Sequence, residues 1–216
     1  MTATVHGVAA DRAAWQVASL LLAYPDEELP VRLPLVHRVV RALPRDLGEP
    51  LEQFVAHCAA TPVLRLAAHY VETFDHRRRC CLYLTYYAHG DTRNRGMALL
   101  AFKSAYRRAG LELDTGELPD HLAVVLEFAA TADPEAGRKL LLDHRAGIEL
   151  LRLALEEAGS PYVHVLRAVT ATLPPLRGDE HAAVARLAAE GPPVEEVGLV
   201  PFGPPDHTPR AEGARR

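Results

Sequence analysis

The sequence predicts an all-α protein, a single-domain bundle of about eight to ten helices. Apolar residues recur at helical spacing along most of the chain, and no window alternates between apolar and polar residues as a strand would. Proline, glycine and aspartate separate the periodic segments at the places where helices are expected to begin or end. Because 49% of the 216 residues are hydrophobic, the chain can fill one buried core.

Proline divides the first half of the chain. Tyr24-Pro25 ends the first predicted helix. Thr61-Pro62 is a start signal, because threonine can cap a helix and proline is tolerated in the first turn. The helices expected in this half cover residues 10–24, 27–42, 46–59, 62–74 and 77–88.

Glycine and aspartate divide the second half. Gly90-Asp91 breaks the chain, and Asp91 can cap the helix that follows. Gly110 is typical of the residue just after a helix, and Asp133-Pro134 opens a long helix. The helices expected here cover residues 92–109, 119–131, 134–158, 161–173 and 179–190.

Composition changes abruptly near residue 191. The last residues are rich in proline and glycine, and such a segment cannot form a helix or a core of its own. We therefore expect a helical domain over residues 1–190 and a partly disordered tail over 191–216, in which the apolar stretch 197–202 could lie across the folded body.

Bulk properties exclude several functional classes. The net charge of −4 gives no general attraction to nucleic acid. The three cysteines, Cys58, Cys80 and Cys81, contain no CxxC pair and are expected to act as small buried hydrophobic residues. The N-terminus lacks a signal peptide and no apolar stretch is long enough to cross a bilayer, so we expect a cytoplasmic protein without direct membrane insertion.

The sequence contains no recognisable catalytic or metal-binding pattern. The eleven histidines are scattered, and no HExxH, clustered Cys/His, GxSxG or Rossmann motif occurs. The residues therefore predict a protein that is not an enzyme and has no metal site.

The segment from Tyr70 to Asp75 is acidic and aromatic. Tyr70 and Phe74 are four residues apart and share one helix face, and Glu72 and Asp75 form an acidic edge beside them. The pattern is typical of an amphipathic helix end. It also suits an aromatic wall with an acidic rim that binds a basic peptide.

Two further segments extend this apolar surface. Tyr83 and Tyr87 are again four residues apart in the 77–88 helix, and tyrosine serves cores and interfaces equally well. The 119–131 helix is apolar almost all round and is interrupted by Glu127, so it is either central to the core or lines a groove.

Residues 90–96 indicate an anion site, but less specifically than a P-loop motif would. Asp91, Arg93 and Arg95 lie at a predicted helix start, where backbone N–H groups attract anions. The spacing is not that of a P-loop, and no strand precedes it. Phosphate or cofactor contact and a capped turn with paired arginines both remain open.

In this order, YVETFD, LYLTYY, GDTRNRG and ELPDHLAVVLEFAA resemble the NarJ group of the TorD/DmsD/NarJ superfamily of redox-enzyme assembly chaperones. The resemblance is strongest over residues 70–130 and extends more weakly over about 10–200. It implies an all-helical, non-catalytic protein that binds the N-terminal segment of the catalytic subunit of respiratory nitrate reductase. It further implies that binding keeps the client competent for insertion of bis(molybdopterin guanine dinucleotide) and delays membrane attachment.

The resemblance and the patterns together predict a client-peptide site. An amphipathic peptide is expected in a groove between the 62–74, 77–88 and 119–131 helices, with Glu72, Asp75, Glu117 and Asp120 at its rim. The full expected contact set is Tyr70, Glu72, Phe74, Asp75, Tyr83, Tyr87, Glu117, Leu118, Pro119, Asp120, Leu122, Leu126, Glu127 and Phe128. Gly90 and Gly96 also match the family pattern.

Other partners and functions stay open at this point. No cofactor is expected to bind tightly, and a transient contact with bis(molybdopterin guanine dinucleotide) would use Asp91, Arg93 and Arg95. Alternatives are a chaperone for another molybdoenzyme, a nucleotide- or cofactor-binding helical protein, and a scaffold that oligomerises through Leu126 and Phe128. The sequence is compatible with a monomer or a homodimer.

Overall fold

The computed structural model describes residues 6–112 and 116–191, which contain eleven α-helices. In chain order these are α1 (Val8–Leu22), α2 (Leu29–Ala42), α3 (Arg45–Ala60), α4 (Val63–Tyr70), α5 (Leu84–His89), α6 (Arg93–Arg108), α7 (Leu122–Thr131), α8 (Pro134–Asp143), α9 (Arg145–Glu157), α10 (Val163–Ala171) and α11 (Gly178–Glu190). The predicted all-α bundle is confirmed, because these ranges contain no strand and only one isolated β-bridge, between Tyr83 and His121. The tail over 192–216 lies outside the described residues.

The bundle is centred on α1 and α7, which pack together more extensively than any other pair of described helices. Trp15 of α1 is fully buried, and its indole N–H donates to Thr172 Oγ1 at 2.9 Å. Helix α8 packs closely on α7, since a Cβ on Gly137 would clash with the Cα of Ala129. No described helix is long and apolar enough to cross a membrane.

The expected helix over 77–88 is wrong up to Tyr83, and only its second half is helical. A short 3₁₀ turn (Arg78–Cys80) leads into an extended stretch that ends at Tyr83, and only then does α5 begin. The extended stretch pairs with the loop before α7: Leu122 N–H donates to Leu82 O at 2.9 Å, and Leu84 N–H donates to Asp120 O at 3.0 Å. Because these backbone bonds replace helical ones, Tyr83 and Tyr87 do not share a helix face.

The segment 134–158 was expected to form one helix but forms two. The described residues therefore contain eleven α-helices instead of the ten expected ranges. His144 has a non-helical backbone (φ −112°, ψ 19°) and separates α8 from α9, and its Nδ1 lies 2.9 Å from Leu140 O. The break lets α9 turn toward α5, where a Cβ on Gly147 would lie 2.9 Å from the Tyr87 ring.

Helix ends follow the predictions at Gly110 and Asp133 and differ at Thr61 and Asp91. Pro62 and not Thr61 occupies the N-cap position of α4, and the Thr61 hydroxyl donates to His57 O at 2.8 Å. Gly110 has a positive φ of 76°, as expected for a residue just past a helix. Asp133 caps α8 by accepting from Ala136 N–H at 2.9 Å. Asp91 does not cap α6, because Thr92 occupies the N-cap position and the Asp91 carboxylate pairs with Arg95.

The three cysteines are free and largely buried, as predicted. Burial raises the pKa of the Cys58 thiol to about 12 and that of Cys81 to about 11. These thiols therefore stay protonated and act as small apolar side chains.

Candidate functional site

A groove of about 490 Å³ opens between the C-terminal end of α1 and helix α7. Its other borders are the π-helical turn that follows α4 (Val71–Asp75), the extended stretch ending at Tyr83, and Glu117 in the loop before α7. Three stretches that are far apart in sequence, 16–24, 70–83 and 117–127, therefore meet at one concave surface.

Aromatic rings form one wall of the groove. Tyr70 packs edge-on against Phe74, with ring centroids 4.8 Å apart, and against Tyr24 at 5.5 Å. The Tyr70 hydroxyl donates to Leu22 O at 3.3 Å, which ties the wall to the end of α1. Tyr70 and Phe74 are nearly buried, but Tyr24 is 57% exposed. Tyr24 is thus the ring with most free surface for a partner.

The π-helical turn after α4 determines where Phe74, the second ring of this wall, lies. One extra residue in the turn changes the helical register after Tyr70, so that Phe74 still reaches the core and packs 4.7 Å from the Tyr162 ring. Asp75, at the end of the turn, then faces the groove. The sequence predicted a helix end here, but not the π turn.

Three carboxylates line the groove: Asp75, Glu117 and Glu127. No lysine or arginine of the described residues lines it, and none of the three acids takes part in an ion pair there. Glu117 Oε1 accepts from the Tyr83 hydroxyl at 2.8 Å and from Leu118 N–H at 2.9 Å. Burial and this Glu117 bond raise the pKa of Tyr83, so the hydroxyl remains a donor. The groove is therefore anionic and favours a cationic partner.

Helix α1 supplies a wall that the sequence analysis missed. Ser19, Leu20, Ala23 and Tyr24 all line the groove. A signal was present, because Leu20 and Tyr24 are four residues apart and both lie off the buried stripe of the first helix. Tyr24 beside Pro25 was interpreted only as a helix end.

Two predicted rim acids lie elsewhere. Glu72 is exposed outside the groove and faces Arg77, with its Oε1 3.4 Å from Arg77 Nη2. Asp120 is fully buried, and its Oδ2 accepts from Thr85 Oγ1 at 2.6 Å and from Thr85 N–H at 3.1 Å. Asp120 points inward, where its carboxylate accepts from these two donors. The predicted position of Asp120 at the rim is therefore wrong, and the residue supports the loop before α7 from inside the protein.

Several apolar residues of the predicted contact set lie in the core instead of the groove. Tyr87, Leu122, Leu126 and Phe128 are buried, and Phe128 packs on Tyr106 of α6 at 4.6 Å. Leu122, Leu126 and Phe128 lie on α7 and are covered by the rest of the bundle, whereas Tyr87 lies on α5 and packs against Gly147 of α9. On its groove side α7 presents Ala123, Val124 and Glu127.

Leu118 and Pro119 lie in the loop before α7 and do not line the groove. Leu118 is partly exposed, and Pro119 O accepts from the Tyr106 hydroxyl at 2.6 Å. Contact of either residue with a peptide stays a prediction.

The predicted anion site contains two arginines: contact of Arg93 with an anionic cofactor stays a prediction, whereas Arg95 is already paired with carboxylates. Arg95 Nη1 lies 3.2 Å from Asp91 Oδ1, and its Nη2 lies 3.7 Å from Asp120 Oδ2. The guanidinium also lies over the Tyr83 ring, 5.2 Å from the centroid. Two carboxylates already balance its charge, so a phosphate here would meet repulsion. The described residues also contain no cluster of His, Cys, Asp and Glu that could hold a metal ion.

Known proteins resemble this chain over most of its length. The family model described as "Nitrate reductase delta subunit" matches residues 41–168. The chain is 36% identical over 156 residues to "Probable nitrate reductase molybdenum cofactor assembly chaperone NarJ" of Bacillus subtilis, which covers 72% of this chain and 85% of that protein. It is 32% identical over 149 residues to "Nitrate reductase molybdenum cofactor assembly chaperone NarJ" of Escherichia coli K12, covering 68% of this chain and 63% of that one.

Two further similarities concern a longer protein and a solved structure. The chain is 45% identical over 158 residues to the "Nitrate reductase-like protein NarX" of Mycobacterium tuberculosis H37Rv, and it spans only 24% of that protein's length. The solved structure described as "Crystal Structure Of A Putative Redox Enzyme Maturation Protein From Archaeoglobus Fulgidus" superposes with a TM-score of 0.55 and 25% identity, covering 73% of this chain and 90% of that one. The chain belongs to the nitrate reductase delta subunit family, which includes the nitrate reductase molybdenum cofactor assembly chaperones.

Proposed function

We propose that this protein is an assembly chaperone for respiratory nitrate reductase, and that its groove binds the N-terminal segment of the catalytic subunit before cofactor insertion and membrane attachment. The observation that carries the proposal is the combination of an aromatic wall with three carboxylates that form no ion pair with any residue the structure describes. The names of the related NarJ proteins support the choice of client. The proposed role is binding, with no catalytic step.

The groove suits an amphipathic peptide with apolar residues on one face and lysine or arginine beside them. Its volume of about 490 Å³ holds a few side chains and not a whole domain. Leu20, Ala23 and Val124 offer apolar contact surface, and Tyr24 offers a large ring with few rotatable bonds. This is helix-in-groove recognition, in which apolar anchors provide affinity and charges at the rim adjust it.

In this proposal the molybdenum cofactor goes to the client, and Arg95 does not hold it. The guanidinium is needed inside the protein, where it faces Asp91 and Asp120. Reversible peptide binding is sufficient for the role, because a chaperone must release its client.

Isothermal titration with a peptide from the N-terminus of the catalytic subunit of the same organism tests the proposal. We expect Glu127→Gln to weaken binding about fivefold, as for a rim charge worth roughly 1 kcal/mol. We expect Tyr24→Ala to weaken it about 30-fold, as for an interface aromatic worth roughly 2 kcal/mol. Because the rim charges are exposed, added salt lowers the wild-type affinity.

Two matched variants control for unspecific effects. Glu135→Gln changes an exposed glutamate on α8, and Leu64→Ala changes a leucine on α4 that is 84% exposed; neither residue lines the groove. Both variants are expected to bind like the wild type. Absence of peptide binding by the folded protein would refute the choice of client. A peptide affinity that neither Tyr24→Ala nor Glu127→Gln changes would refute the groove as the binding site.

A further inference from the structure

Helix α6 leaves a long outward face uncovered. Only Phe102, Ala105 and Tyr106 of this 16-residue helix are buried. On the opposite side Met97 is 71% exposed and Leu100 is 52% exposed. These two residues are three apart, so their side chains project from the same side of the helix. None of the α6 residues lines the groove.

The same face is strongly cationic. Within α6 there is no acidic residue, and the five basic ones are Arg93, Arg95, Lys103, Arg107 and Arg108. Lys103, Arg107 and Arg108 are exposed, and none of them takes part in an ion pair within the described part of the chain. Arg108 instead donates to Ser104 Oγ at 3.0 Å, on the same face. Other exposed cations without an ion pair, such as Arg38 and Arg41, lie elsewhere among the described residues, but α6 carries three of them together with two exposed apolar residues and no acid.

We propose that the outward face of α6 is a docking surface for anionic lipid headgroups. The positive charges of Lys103, Arg107 and Arg108 are attracted to a negative membrane surface, and each contributes separately. Met97 and Leu100 then enter the boundary between headgroups and acyl chains, while the long basic side chains reach the phosphates. The contact is peripheral and reversible, because two apolar side chains and three cations do not anchor a protein permanently.

The shape of the face favours a lipid surface over a protein partner. A helix packed on one side only is a convex ridge, and a flat membrane can contact its whole length of about 24 Å. The cations lie on flexible side chains and follow the exposed apolar residues along the same helix, and such a combination is typical of helices that lie in a membrane interface. Apart from Ser104, which already binds Arg108, the face between Met97 and Arg108 offers no exposed neutral polar side chain for directional recognition of a particular protein.

Helix α2 provides a matched control. It exposes Val31 (79%) and Leu35 (58%) and carries the exposed Arg38 and Arg41. Its start differs, because Arg32 is paired there with Asp26 and Glu28. A double substitution on α2 therefore changes the net charge of the protein as much as one on α6, without touching the α6 face.

The test is co-sedimentation of the protein, without any client, with vesicles of phosphatidylcholine or of equal parts phosphatidylcholine and phosphatidylglycerol. We expect wild type to bind the anionic vesicles and not the neutral ones, and added salt to release it. The Lys103→Gln, Arg107→Gln variant is expected to reduce the partition constant about 25-fold, at about fivefold per cation. The Met97→Ser, Leu100→Ser variant is expected to reduce it as well.

The Arg38→Gln, Arg41→Gln variant is expected to bind anionic vesicles within about twofold of wild type, and circular dichroism checks that every variant is folded. Equal losses from the α2 and α6 pairs would overturn the proposal, because net charge alone would then explain binding. Equal binding to both vesicle types would overturn it too. If in that case the α6 pair weakened capture of a whole acidic client protein, the face would be a protein interface instead.

Discussion

The groove and the outward face of α6 lie on two sides of α7 and differ in shape and charge. The groove is concave, and its charged side chains are Asp75, Glu117 and Glu127. The α6 face is convex, and its charged side chains are basic. Both leave apolar residues accessible, so hydrophobicity does not distinguish them. The net charge of −4 does not reveal that the protein has one anionic and one cationic surface. The chemistry of a partner therefore has to be inferred from the charges of each surface.

A buried network joins these two regions. Asp120 accepts from Thr85 of α5 and faces Arg95 of α6, and the Arg95 guanidinium lies over the Tyr83 ring at the groove. The network fixes the loop before α7 to the start of α6. The two surfaces are therefore separate in function but share one internal support.

Asp120→Ala tests this shared support and has the largest expected effect. It leaves the Thr85 N–H without its acceptor and the largely buried Arg95 guanidinium with only the exposed Asp91 as a partner. We expect a loss of about 3–5 kcal/mol in the free energy of unfolding, measured with urea, as for breaking a buried pair. Asp91→Ala removes the exposed partner of the same arginine and is expected to cost less than about 1 kcal/mol. Similar losses from both would mean that Asp120 is not the centre of the network.

The helices could be predicted from the sequence wherever local signals decide them. Gly110 and the Asp133 cap behave as their residue types require. Where distant segments decide, the prediction was wrong. The backbone bonds between Leu82 and Leu122 cannot be foreseen from either segment alone, and they convert an expected helix into an extended stretch.

The candidate site shows the same division between local and distant information. The motifs identified Tyr70, Phe74, Asp75, Glu117 and Glu127, which the structure brings to one groove. They could not separate Glu127 from its neighbour Phe128, because an apolar helix does not reveal which side is covered until its partner is known. The wall from α1 was missed for the same reason, since α1 precedes the motifs by about fifty residues.

Lowering the pH tests whether the stability of the two regions depends on uncharged histidines. Burial lowers the pKa of His121, at the groove, and of His144, whose ring packs on Phe102 of α6 at 4.9 Å. The unfolded chain therefore binds more protons than the folded one once the pH falls below the ordinary value of 6.5. We expect full stability above that pH and a progressive loss below it, measured as the urea midpoint.

Single variants assign this loss to one region or the other. His121→Gln and His144→Gln are each expected to reduce the dependence of the urea midpoint on pH, because neither leaves a group to protonate at that site. His181→Gln removes an exposed histidine of α11 and is expected to keep the wild-type dependence. If neither buried histidine changed the slope, the acid sensitivity would have to come from other groups.

Glu72→Ala has the smallest expected effect and defines where the acidic groove ends. The sequence placed Glu72 among the client contacts, but its side chain is exposed beside Arg77 and outside the groove. We expect a change below about 0.5 kcal/mol in unfolding free energy, as for an exposed ion pair, and peptide affinity within about twofold of wild type. Asp75→Asn, three residues later and inside the groove, is expected to weaken the peptide clearly more. Equal losses would show that the peptide continues over the π-helical turn, so that the anionic surface opposed to α6 is wider than the groove itself.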